Sequence, residues 1–186
     1  MTRAIPLLRR LLAPVIARSR SFRCDERGVT AIEFGILALP FFMLVFAIIE
    51  TSMMFFAGQI LDSAVEDASR AVRTGQAQTY TIDEFRGLVC EYTFGLFDCN
   101  QIRLKVDTLP DFTSTAIAPP VQNCTETTCT WTMVEEFDPG ARKEVMQVFA
   151  YYRWPLLIVM PYFNLKNQPD NYRLLAATRV FRNEPF

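Results

Sequence analysis

The sequence predicts an α+β protein: a long N-terminal transmembrane helix with an amphipathic extension, followed by a small antiparallel-sheet domain. Three observations carry this reading. Residues 29–49 form an apolar run interrupted by a single charge, helical periodicity continues beyond it to residue 74, and after residue 100 apolar side chains alternate with a period of two. The expected organisation is a basic leader at 1–28, a membrane span at 29–49, a helical extension at 50–75 and an exported α+β domain at 80–186.

The span comes first. From Val29 to Ile49 the only ionisable side chain is Glu33. At 1.5 Å per residue the run makes about 31 Å of helix, against about 30 Å for the hydrocarbon core of a bilayer. A cleaved secretory signal fits poorly, because its apolar core is shorter and ends at a small-x-small site, whereas Glu50-Thr51-Ser52-Met53-Met54 follows here. Pro40 removes one backbone hydrogen bond near the middle, so a kink or loosened turn is expected there. Before the span, Arg3, Arg9, Arg10, Arg18, Arg20, Arg23 and Arg27 stand against only Asp25 and Glu26. The rest of the chain has twelve basic and eighteen acidic side chains. Basic residues beside a membrane helix are retained in the cytoplasm, which places residues 50–186 across the membrane from them. The basic patch does not continue into the folded part, so no nucleic-acid partner is expected. Within the leader, residues 4–17 read either as a short amphipathic helix on the inner membrane surface, interrupted by Pro14, or as a disordered leader.

Beyond Ile49 the apolar positions Ala57, Ile60, Leu61, Ala64, Val65, Ala68, Ala71 and Val72 keep helical spacing, with Asp62, Glu66, Asp67, Arg70 and Arg73 on the other face. Glu66 and Arg70 have the favourable i, i+4 order, and Gly75 is a natural stop. One helix from Val29 to Thr74 would reach about 69 Å, well past a bilayer. Thr81 and Glu84 have capping-box spacing ahead of the stripe Phe85, Leu88, Val89 and Tyr92, which predicts a second helix ending near Gly95. Ile102, Leu104 and Val106 alternate with Arg103, Lys105 and Asp107 as a half-buried strand does. Further strands are expected at 129–135, 144–154 and 172–182, with Asp138-Pro139-Gly140 joining the first two of these as a hairpin. Trp131, Tyr151, Tyr152 and Trp154 read as sheet packing. The uncharged run from Pro155 to Phe163 is too short to span; it either fills the core or forms an exposed strip for a partner or the membrane surface.

Cys24 falls in the leader, while Cys90, Cys99, Cys124 and Cys129 fall in the exported part, where an even number can oxidise. Of the three pairings four cysteines permit, short loops favour Cys90 with Cys99 and Cys124 with Cys129; four buried thiols are the alternative. No metal site is expected, since the chain lacks histidine and neither cysteine spacing is that of a zinc ribbon. Catalysis finds little support. Without histidine there is no Ser-His or Cys-His pair, no Gly-rich phosphate loop occurs, and the adjacent carboxylates Glu135 and Glu136 are singled out by residue type alone. Neither an enzyme nor a cofactor is expected.

Glu33 is the residue with most to explain, because a carboxylate at the centre of a span costs ~2.5 to 3.5 kcal/mol. It lies near the edge, where a tolerated interfacial carboxylate is one reading. A second uses its neighbours. Cutting after Gly28 exposes an α-amine at Val29, a cation able to pair with Glu33 of an adjacent subunit inside the membrane.

The block Arg27-Gly28-Val29-Thr30-Ala31-Ile32-Glu33-Phe34, running straight into the apolar helix, resembles a type IV prepilin processing site. From Gly28 through the extension to Arg73 the chain resembles the TadE-like pseudopilins of tight-adherence (Flp) pilus systems. The ending Ala176-Ala177-Thr178-Arg179-Val180-Phe181-Arg182-Asn183-Glu184-Pro185-Phe186 resembles that of alphaproteobacterial members. The resemblance covers both ends, and residues 80–140 match only in size and texture. It implies cleavage after Gly28 by a prepilin peptidase, a role as minor pseudopilin in pilus assembly, and other pilins, pseudopilins and the assembly machinery as partners. Phe34 departs from the family's pattern, which commonly has tyrosine there. The rival reading is an uncleaved single-pass anchor presenting a small exported binding domain, in which Gly28 and Glu33 have no special part.

Overall fold

Helix α1 runs from Val29 to Arg73 and is helical on both sides of Pro40. It belongs to a computed structural model that describes residues 28–114, 118–125, 127–158 and 163–186. The basic leader with Cys24, the segment 4–17, and residues 159–162 of the uncharged run lie outside the described residues. The chain divides into two units between Val45 and Phe46. In the first, the described residues 29–45 are apolar and exposed almost throughout.

The second unit is built on the remainder of α1. Glu50, Met54, Ala57, Leu61, Ala64, Val65, Ala68, Ser69 and Val72 are buried, at the three- and four-residue spacing that puts them on one face. Ile60 and Ala71 flank that face, half-buried. Gly75 stops the helix in the left-handed region at φ +79°, with the Ala77 N–H donating back to Ala71 O at 3.1 Å. A side chain there would meet the Phe186 ring, so both the backbone conformation and the close approach call for glycine.

Helix α2, Ile82–Glu91, opens with a complete capping box. The Glu84 N–H donates to Thr81 Oγ1 at 3.3 Å, and the Thr81 N–H donates to Glu84 Oε2 at 2.7 Å. The Thr81 N–H first, and then the Thr81 hydroxyl, which donates to the same Oε2 at 3.0 Å, hold the Glu84 carboxyl below its usual range. Phe85 and Val89 enter the core, and Cys99–Gln101 form a 3-10 turn after the helix. Six strands follow among the described residues: β1 Arg103–Leu109, β2 Val121–Gln122, β3 Thr130–Trp131, β4 Glu136–Phe137, β5 Val145–Pro155 and β6 Tyr172–Arg182. Four make a sheet in the order β4-β1-β5-β6, and β2 pairs with β3 in a small ribbon. The long ladders β1–β5 and β5–β6 are antiparallel, while β4 adds a short parallel rung to β1.

Side-chain alternation divides the sheet between two environments. Leu104, Val106, Met146, Val148, Ala150 and Tyr152 join the α1 and α2 side chains in one hydrophobic core. Small residues on the α1 face, Ala57, Ala64 and Ala68, leave room for the sheet side chains to pack closely. The opposite face, with Gln147, Phe149 and Tyr151, is buried too, because the segment leading from β1 to β4 crosses it.

The expected hairpin through Asp138-Pro139-Gly140 is not formed. Both edges of β5 are already taken, by seven paired residues of β1 and eleven of β6, so β4 pairs with the far edge of β1 instead. Of the strand expected at 129–135 only Thr130–Trp131 forms, as β3, and β4 begins just past that range at Glu136. Between them Glu135 uses its side chain where a strand would use its backbone: Oε1 accepts the Leu104 N–H at 3.1 Å, and the parallel rung begins one residue later at Lys105 and Glu136.

Candidate assembly site on the N-terminal helix

Gly28 precedes α1 and is exposed, and a side chain added to it would meet nothing within 4 Å. Packing among the described residues therefore gives no reason for glycine at this position. Val29 begins the helix at 47 % exposure, and Glu33 stands four residues on, on the same face. The first turn holds no acidic side chain, so Glu33 is the first carboxylate of the helix. Both Glu33 and Phe34 point away from any other part of the described chain, with Phe34 70 % exposed. Ile36, Leu37, Leu39, Phe41 and Leu44 are exposed on all sides of the helix. An apolar surface that encircles a helix needs lipid or other helices around it. By length and composition this helix is able to cross a membrane.

Past the span the polar groups are tied down. Glu50 is buried, and its Oε1 accepts the Leu157 N–H at 3.0 Å. Further along, Arg179 of β6 pairs with Asp62 and Glu66 of α1. Glu66 therefore turns to the sheet and not to Arg70. At the helix end the Glu184 N–H donates to Arg73 O at 2.9 Å, with their side chains 3.7 Å apart. Asn183 Nδ2 donates to Pro139 O and Ala141 O, and the Arg142 guanidinium lies 5.9 Å from the Phe186 ring. The C-terminal residues thus staple the end of α1 to the sheet and its loops. From the sequence, residues 172–182 are expected as a strand, but its pairing to α1 is not; charge complementarity between Arg179 and the acidic α1 face is the signal for it.

The structure pairs Cys90 with Cys99 and Cys124 with Cys129, at Cα separations of 5.7 and 4.1 Å. The first ties the end of α2 to the 3-10 turn before β1. The second closes the β2–β3 ribbon. Trp131 on that ribbon has the guanidinium groups of Arg103 and Arg153 over its ring, at 6.0 and 5.7 Å. Tyr152 and Trp154 pack with Phe97.

Glu135, noted in the sequence as half of a carboxylate pair, has its work in the fold. Besides the Leu104 N–H it accepts Arg86 Nη2 at 2.9 Å and Arg103 Nη1 at 2.8 Å. Burial pushes its carboxyl upward, but the Leu104 N–H and the two guanidinium groups outweigh that and hold it below the ordinary value of 4.5. Glu136 points elsewhere, 4.0 Å from Lys105 Nζ. Across the second sheet face lies a cavity of about 520 Å³, lined among others by Lys105, Asp107, Gln147, Phe149 and Tyr151. Lys105 and Asp107 are paired there at 2.7 Å, and Asp107 Oδ1 and Gln147 Nε2 are buried without hydrogen-bond partners among the described residues.

Residues 28–70 match the family model of TadE-like proteins. The match starts at Gly28, covers the whole span and ends within the last turn of α1, leaving residues 71–186 outside it. Neither curated proteins nor solved structures yield a match to this chain.

Proposed function

With residues 28–70 TadE-like, we propose that this chain is a minor pseudopilin of a tight-adherence (Flp) type IV pilus. It is a non-enzymatic subunit that acts by helix packing and specific protein contacts. The observation that carries the proposal is the junction itself: Gly28 exposed and without packing demands from the described residues, Val29 opening a helix apolar on every side, and Glu33 one turn in on the same face. A prepilin peptidase removes residues 1–28 at the cytoplasmic side of the inner membrane. The new α-amine at Val29 then pairs with Glu33 of a neighbouring pilin or pseudopilin, so that each charge relieves the other's burial in the bilayer. The disulfide-closed domain lies in the periplasm and supplies specific contacts to the assembly machinery.

N-terminal sequencing of the membrane-bound protein tests this directly. A start at Val29 that reverts to the full leader when the prepilin peptidase is deleted is the expected result. Residues 1–28 still attached in a peptidase-positive strain would identify an uncleaved anchor and overturn the pseudopilin assignment.

A further inference from the structure

Strands β5 and β6 lie lengthwise along the second half of α1, and three contacts set the alignment: Leu157 at Glu50, Arg179 at Asp62 and Glu66, and Glu184 at Arg73. The turn that follows β5 is therefore placed at the helix position where the apolar span ends. Glu50 is the first residue past Ile49 and is 5 % exposed, with this turn in contact with its carboxylate. The Leu157 N–H supplies the hydrogen bond that a buried carboxylate requires. Leu156 turns inward, at 8 % exposure, while the Leu157 side chain points out at 86 %. Phe163, where the described chain resumes, is also exposed, and Lys166 follows it at the surface. From Pro155 to Phe163 the sequence carries no charge.

We propose that the turn at Leu157 is a second membrane contact, dipping into the interface between lipid headgroups and acyl chains beside the spanning helix. This rests on the reading of residues 29–49 as a membrane span. The argument for lipid as the occupant is continuity: a hydrogen bond to Glu50 fixes the turn at the depth where the helix leaves the hydrocarbon. An outward leucine among described residues 155–158 that carry no charge, with Lys166 exposed further along the chain, is the composition of an interfacial contact. The contact has a consequence for Glu50. Buried against the turn, its carboxylate faces neither water nor acyl chains, so the helix can leave the membrane at a charged residue without exposing it.

Site-specific fluorescence tests the contact on the full-length chain carrying Cys24→Ser, with the four paired cysteines left oxidised. The protein is reconstituted in phosphatidylcholine–phosphatidylglycerol vesicles, and single cysteines are placed by Leu157→Cys, Val134→Cys and Leu39→Cys. Each is labelled with a polarity-sensitive dye and quenched by lipids spin-labelled near the headgroup or deep in the acyl chain. The expected result is quenching of the Leu157 label by the shallow lipid at least about twofold stronger than that of the Val134 label, with the Leu39 label quenched by the deep lipid. Val134 is a fair control because it is 75 % exposed on the segment crossing the other sheet face. A water-exposed Leu157 label with Leu39 deep in the bilayer overturns the lipid contact alone. A blue-shifted Leu157 label that lipids do not quench assigns the turn to a protein partner, and equal quenching at Leu157 and Val134 shows unspecific adherence; each overturns the proposal. No quenching at Leu39 overturns the span and the proposal resting on it.

Discussion

Arg179 on β6 grips Asp62 of α1 at two points, Nη1 to Oδ1 and Nη2 to Oδ2, both at 2.8 Å, while its Nε reaches Glu66. One planar guanidinium thus joins two successive acidic residues of the helix to the last strand. The fork is half-exposed, so its worth is bounded by what surface networks contribute. Arg179→Ala should lower the stability of the folded domain by about 1 kcal/mol, and Arg179→Lys should recover less than half of that, because an ammonium cannot form the two-point contact. Thermal melts of the detergent-solubilised protein followed by circular dichroism read both variants. Full recovery by lysine would show that charge alone is at work.

Glu135 joins β1, α2 and the β3–β4 segment through the Leu104 N–H, Arg86 and Arg103. Its removal leaves the Arg86 guanidinium, 16 % exposed, without its main partner. Glu135→Ala should therefore cost about 2 kcal/mol, more than the loss of an exposed pair. The pH dependence has a definite sign. The folded carboxyl lies below the ordinary 4.5, so its contribution is present above that value and is lost as pH falls through the folded value. Wild type should lose stability on acidification below pH ~4.5 more steeply than Glu135→Gln. Parallel acid titrations of the two proteins would reveal a carboxylate with no linkage to folding.

The two disulfides differ in what they tie together. Cys90–Cys99 joins α2, which is part of the core, to the turn before β1, whereas Cys124–Cys129 closes a ribbon outside it. Loop-closure entropy alone gives similar values, about 2 to 3 kcal/mol each. Replacing both cysteines of the first pair by serine should therefore lower the global melting temperature. The same replacement in the second pair should act chiefly on protease sensitivity between β2 and β3, since the ribbon can open without the core. Equal effects on global melting would show that the ribbon unfolds with the core.

Glu33→Ala removes the one charge from the span, so membrane insertion should be retained or improved. Incorporation into the pilus assembly should fail, because the α-amine at Val29 of the neighbouring subunit loses its partner. Co-purification with assembled pili, scored against total membrane-bound protein, separates the two effects. Normal incorporation of the variant would remove Glu33 from the assembly role.

Much of this molecule is legible from spacing. Apolar positions of α1 recur every three or four residues from Ala57 to Val72, and most are buried; Thr81 and Glu84 cap α2 as their separation implies, and Gly75 ends α1. These features depend on residues within a turn or two of each other, where backbone geometry decides which side chains meet. The hairpin at Asp138-Pro139-Gly140 was misleading for the same reason. A turn signal says that the chain reverses, but not whether the edge it returns to is free, and β1 and β6 already occupy both edges of β5.

The sequence by itself determined the apolar helix from Val29 and the core-facing stripe of the extension, and it favoured, without fixing, the short-loop cysteine pairings. Each is a local pattern whose physical meaning is complete within a few residues or one helix face. Only the tertiary structure decided that Glu66 turns to Arg179, that Glu135 stands in for a strand, and that Glu50 accepts the Leu157 N–H. Those contacts join residues 31 to 113 positions apart in the chain. Their partners are selected by how the sheet lies along the helix, and that alignment is set by the packing of the whole core.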